Sequence, residues 1–224
     1  MLVFQDAVAS LASSLTILLF LSGSFICLQI IRLGHTGSHS SFPFITGIFN
    51  SVTWLVYGSL LGDSSIIITN SVGLVTQVLY LMVFLLYCVA VPVRTAVKRQ
   101  MLALVVILGS ILYYATYSAN DRLVVTSHVG LLSCIASILF CASPLASVFE
   151  VIRVKSTSIM PFPLILLMFL STSAWTIYGR LIDAVFVVIP NFLCALISGL
   201  QLLLFLVYSP DTPESILKGI VFLY

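Results

Sequence analysis

Apolar residues form long runs along this chain, and polar residues are largely confined to short breaks between them. A helix needs roughly 20 apolar residues to cross a hydrocarbon core. Seven segments reach that length: about 7–31, 42–61, 66–91, 101–119, 126–151, 160–180 and 184–208. A spanning barrel would instead alternate polar and apolar positions in segments of about ten residues, so these runs predict helices. The expected class is an all-α membrane protein with seven transmembrane helices.

The polar punctuation occurs twice. Trp54, Tyr57, Gly58, Asp63, Asn70 and Tyr87 are answered 121 positions later by Trp175, Tyr178, Gly179, Asp183, Asn191 and Tyr208, with a one-residue slip at the aspartate, as expected of a loop. Upstream, Ser22-Gly23 answers Ser143-Pro144 and Phe42-Pro43 answers Phe162-Pro163. Self-similarity at a fixed period marks a duplicated unit. Spans 1–3 match spans 5–7, and span 4 is unmatched. One intervening helix makes both triplets cross the membrane in the same sense, related by an axis along its normal. The predicted organisation is two parallel three-helix repeats joined by a linker helix (3+1+3). The first repeat covers 7–91, the linker 101–119, the second repeat 126–208, and a cytoplasmic tail 209–224.

Composition supports this and removes other classes. The chain is 61% hydrophobic and 7% charged, against about 25% charged in soluble domains. A net charge of +2 argues against nucleic acid as a partner. Lys and Arg concentrate in cytoplasmic loops. An outside N-terminus puts Arg32, Arg94, Lys98, Arg99, Arg153, Lys155 and Lys218 inside, leaving Arg122 and Arg180 outside. The five cysteines lie in apolar runs and read as small core residues rather than a disulfide framework. No protease, hydrolase or phosphate-loop motif occurs, so an enzyme is not expected, and no metal or cofactor is implied.

Candidate chemistry sits in the repeated residues. Asn70 and Asn191 lie one to two turns into their spans, where a carboxamide must find a hydrogen-bond partner. They are either interhelical glue or a pair that reads a ligand, and their matched positions favour the pair. Trp54 and Trp175 lie too deep for an interfacial belt. Asn50, Trp54 and Tyr57 share one helical face, as do Ser171, Trp175 and Tyr178. Aromatic plates, carboxamides and hydroxyls suit a neutral, polyhydroxylated ligand. No Asp, Glu or Lys lies deep in a span, which favours downhill transport over ion coupling. Pro43, Pro144 and Pro163, with Gly23 at the matched position of span 1, suggest hinges. A channel, or a membrane scaffold that promotes trafficking without sugar flux, remains the alternative.

At these residues the chain resembles the SWEET sugar transporters (MtN3/saliva family), of an animal type, from about residue 10 to 208. The resemblance rests on Trp54-Tyr57-Gly58, Trp175-Tyr178-Gly179, Asn70, Asn191, the proline-bearing spans and Lys155-Ser156-Thr157. It implies facilitative, bidirectional movement of mono- or disaccharides by alternating access. Trp54, Trp175, Asn70 and Asn191 would line the sugar site, joined by Thr16, Leu19, Ser137, Phe140, Asn50 and Ser171. Phe140 narrows its side, leaning toward a monosaccharide such as glucose or galactose. Tyr57, Tyr178 and Asp183, with Pro190 nearby, would form the external gate. Gly23, Pro43, Pro144 and Pro163 would form the cytoplasmic one, and Gly23 departs from the family's four-proline pattern. The resemblance also implies a homo-oligomer in the plasma membrane, with the Golgi or another endomembrane as the other location.

Overall fold

The structure is a computed structural model that describes residues 2–140, 142–158 and 160–208; the side chains of residues 2, 140 and 142–144 lie outside the description. Among the described residues all regular structure is helical: α1 Leu2–Ser22, α2 Ser24–Leu33, α3 Phe42–Leu61, α4 Ser64–Tyr87, α5 Val91–Tyr117, α6 Arg122–Phe140, α7 Ala142–Val154, α8 Phe162–Leu181 and α9 Val185–Val207. Seven spans are long and apolar enough to cross a membrane.

Local chemistry fixes the boundaries. α3 stops at Gly62, whose φ of 72° is left-handed and whose N–H reaches back to Gly58 and Ser59. Asp63 then caps α4, its Oδ1 accepting from Ile66 N at 2.9 Å. The linker α5 begins at Val91, ten residues before the expected start of that span. Pro92 suits the first turn because its missing N–H would be unpaired there anyway. Arg94, Lys98 and Arg99 therefore lie within the helix, and long basic side chains near a helix end can extend to the membrane surface.

Span 1, expected as a single helix, is interrupted. Span 1 breaks at Gly23, where the Tyr80 ring from α4 occupies the space a side chain would need; a Cβ there would lie 2.6 Å from Tyr80 Cε2. The Tyr80 hydroxyl donates to the Phe20 carbonyl at 3.0 Å. In span 5, α6 is described to Phe140 and α7 from Ala142, and residue 141 between them lies outside the described residues. Pro43 and Pro163 kink nothing. Both sit in the first turns of their helices, α3 and α8, where the ring interrupts no hydrogen bond. Cys194 on α9 is disulfide-bonded, which corrects the reading of every cysteine as a small core residue; Cys27, Cys88 and Cys134 are free and buried.

The repeats pack crosswise: α1 lies against α8 and α3 against α6, while α4 sits between α1 and α3 and the linker α5 touches α3 and α6. At the end bearing the Trp-Tyr-Gly motifs, one core contains residues of both repeats, among them Ala12, Trp54, Tyr57, Ile66, Val129, Trp175, Tyr178 and Val187. Toward the other end the core divides. Ile30, Phe44, Tyr80 and Phe84 cluster with first-repeat and linker residues, and Val151, Met160 and Ile165 with second-repeat residues. Among the described residues, apolar burial therefore joins the two repeats at one mouth only.

Candidate functional site

The Trp-Tyr-Gly motif is first a packing device. Gly58 lets α4 approach α3 closely, since a Cβ there would lie 2.7 Å from Ile66 Cγ2. Gly179 does the same on α8, with Val188 Cγ2 and Val187 Cβ at 3.0 and 3.1 Å. Ile66 and Val187 carry the carbonyls that accept from Asn70 Nδ2 and Asn191 Nδ2, each at 2.8 Å. Each asparagine thus spends one N–H on its own helix, and neither bonds to a neighbouring helix among the described residues. Since no fully buried side-chain nitrogen or oxygen there lacks a partner, their carboxamide oxygens reach accessible space.

Two hydrogen-bonded groups cross between the repeats. Trp54 Nε1–H donates to Ser137 Oγ at 2.9 Å, and Ser137 donates to Asn50 Oδ1 at 3.0 Å. In the other group Trp175 Nε1–H donates to Thr16 Oγ1 at 2.7 Å, and Ser171 Oγ lies 2.8 Å from that same hydroxyl. Thr16 also donates to the Ala12 carbonyl at 2.8 Å. With one proton and two lone pairs, Thr16 is saturated, so Ser171 is the donor in their contact. The indole N–H groups are likewise used within the protein. What these groups leave without a hydrogen-bond partner is the carboxamide oxygens of Asn70 and Asn191. Tyr57 and Tyr178 hold the indole rings edge-on, at centroid distances of 5.5 and 5.7 Å.

The mouth above these groups is shut. Tyr178 donates its hydroxyl to Asp63 Oδ2 at 2.7 Å, joining α8 to the α3–α4 turn. Tyr57 is buried against Phe186 of the other repeat, ring to ring at 6.2 Å. Both rings close over Gly130 of α6, where a Cβ would lie within 2.6 Å of each.

Asp183, expected at this mouth, makes no side-chain hydrogen bond among the described residues. The expected one-residue slip in the repeat does not exist. Ala184 stands at the N-cap position of α9 as Asp63 does at that of α4, though without a side chain to accept a bond, and Ala184 N donates to Gly179 O as Asp63 N donates to Gly58 O, both at 2.9 Å. Asp183 is therefore the counterpart of Gly62, and both are left-handed, at φ 53° and 72°, a conformation that Gly and Asp tolerate better than most residues. Asp63, which the gate assignment missed, was detectable: it precedes a helix start, and an unbroken 121-residue offset pairs it with Ala184.

The other expected residues fall as follows. Leu19 is half-buried near the break in α1, and Pro190 is buried inside α9. Pro43 and Pro163 are exposed, and no hydrogen bond joins the repeats at their end among the described residues. The side chains of Phe140 and Pro144, and all of 209–224, lie outside the described residues.

The profile of a family described as sugar efflux transporters for intercellular exchange matches residues 6–90 and 127–213, one match for each repeat. The chain belongs to this family, the SWEET transporters. The sugar transporter SWEET1 of Drosophila pseudoobscura pseudoobscura is 38% identical over 195 residues, covering 87% of this chain and 85% of that protein. The bidirectional sugar transporter SWEET7 of Arabidopsis thaliana is 29% identical over 214 residues, covering 93% and 82%. A solved eukaryotic SWEET transporter structure superposes with a TM-score of 0.85 at 26% identity, covering 90% of this chain and 94% of that one. The family is one of multi-pass membrane transporters, not enzymes.

Proposed function

We propose that this SWEET chain is a facilitative, bidirectional carrier that moves a mono- or disaccharide, leaning to glucose or galactose, by alternating access. The observation that carries the reading is the pair of crosswise groups, Trp54–Ser137–Asn50 and Trp175–Thr16–Ser171. They present two indole faces from opposite repeats with no charged side chain, and sugar C–H faces stack on such rings. Asn70 and Asn191 supply the donor and acceptor capacity that sugar hydroxyls require. With the N-terminus outside, the shut mouth is the external one, and residues 7–91 and 126–208 are the bodies that rock about the 101–119 linker. Pro43 and Pro163, Pro144 and Gly23 would approach one another when the cytoplasmic mouth closes. Millimolar affinity, about −4 kcal/mol, lets such a carrier release sugar on either side.

The test is uptake of labelled glucose, galactose and sucrose into proteoliposomes, with and without a pH gradient, for the natural protein and Asn191→Ala. The expected result is saturable flux independent of the gradient and reduced at least tenfold in the variant, the effect of losing one well-made contact. Absence of flux for every sugar would return the chain to a scaffold role.

A further inference from the structure

Gln77 on α4 is a polar side chain that the paired-tryptophan site does not use. At roughly 100° per residue, it lies on the side of α4 opposite Val75, Leu79, Met82 and Leu86, the exposed apolar positions that mark the lipid face. It shares its inward direction with Asn70 and Phe84. Both of those are buried, yet Gln77 between them is only half-buried. Its carboxamide makes no hydrogen bond among the described residues, and it is not a fully enclosed, unsatisfied group. An amide in this position therefore keeps accessible surface on the side of α4 turned away from the lipid face.

The surroundings are shaped for it. Gly47 on α3 is buried, and a Cβ there would lie 2.7 Å from Gln77 Cδ and 3.0 Å from Oε1. α3 thus gives up a side chain where the carboxamide rests. Gln77 is two turns below Asn70, about 10 Å along the helix, toward the end where the cores of the two repeats separate. The matched position in the second repeat is Ser198, which is buried and donates to the Cys194 carbonyl of its own helix at 2.8 Å. Among the described residues, the second repeat's nearest carboxamide, Gln201, is instead engaged with Ser147.

We propose that Gln77 is a second sugar contact, one that receives hydroxyls on the leg between the paired-tryptophan site and the parted mouth. The proposal rests on the sugar-carrier reading above. A carboxamide that both donates and accepts can replace part of a sugar's hydration shell as it leaves the aromatic faces. An apolar side chain there would leave that stretch of the path without polar contacts on this wall.

The test compares Gln77→Leu and Gln77→Glu with the natural protein, using glucose as the probe. Glucose flux is read in proteoliposomes at sub-saturating concentration, and glucose binding in detergent is read from the fluorescence of Trp54 and Trp175. Gln77→Leu is expected to lower flux about tenfold, the value of one hydrogen bond, while binding at the tryptophan site stays within about twofold. Gln77→Glu, which keeps the length and an acceptor, should retain most of the flux. Unchanged flux in Gln77→Leu overturns the proposal, and so does an equal loss of flux and binding, which would put Gln77 in the tryptophan site or in the fold. If the natural protein moves no glucose but Trp fluorescence reports binding, the carrier reading fails on its own terms, separately from Gln77.

Discussion

Thr16 shows how a single hydroxyl can set the presentation of an aromatic plate. It accepts from the Trp175 indole and from Ser171 while donating to Ala12, so the ring is fixed across the repeat boundary. Replacing Thr16 by Val keeps the volume but leaves the indole N–H unpaired, a cost of about 1–3 kcal/mol. The expected outcome for Thr16→Val is a roughly tenfold loss of sugar flux, with Thr16→Ser close to the natural protein. Parallel uptake assays check it, and equal flux in Val and Ser variants would mean that ring orientation does not matter. The sequence made Thr16, Ser137, Asn50 and Ser171 visible as residues near the tryptophans. It did not reveal that two of the hydroxyls are consumed by the indoles, because hydrogen-bond direction depends on which helices cross. Asp183 was misread for a related reason. Matching aspartates by letter hid the fact that N-cap position and φ pair Asp63 with Ala184.

Helices were the most legible scale, since hydropathy alone places all seven spans. It does not see the break at Gly23, because the apolar run continues through it. Nor does it separate a proline that starts a helix, as at 43 and 163, from one that interrupts it. Close approach between helices is written in the glycines, and Gly58 tests that statement. Gly58→Ala would set a Cβ 2.7 Å from Ile66 Cγ2 and 3.3 Å from the Ile67 backbone nitrogen, an overpacking cost of about 1–3 kcal/mol. Ile66→Ala alone opens a cavity costing about 2–5 kcal/mol. In the double variant the new methyl enters that space, so its destabilisation should fall below the sum of the two by about 1 kcal/mol or more. Thermal unfolding in detergent of all four proteins measures this coupling. Strict additivity would mean that the contact relaxes elsewhere.

At the scale of the whole molecule, the asymmetry between the two mouths is the main result. One core, the Tyr178–Asp63 bond and the Tyr57–Phe186 contact hold the repeats together at the Trp-Tyr-Gly end. The opposite end has two separate cores. Duplication was legible in the sequence, but which end joins the two repeats was not, because cross-repeat contacts such as Tyr178–Asp63 depend on how the helices pack. If this closed end is a working gate, holding it closed must stop transport. Cysteines at positions 63 and 178, in a background without the others, would test this. The length of the tyrosine puts the two Cβ atoms too far apart for a direct disulfide, so a short, cleavable bifunctional thiol reagent is required. Crosslinked protein should lose sugar flux in both directions and recover it on cleavage. A thiol introduced at Leu19, nearer the parted mouth, should stay reactive throughout. Flux that survives complete crosslinking would show that sugar passes without separating Tyr178 from Asp63, and the gate would have to be sought elsewhere in the molecule.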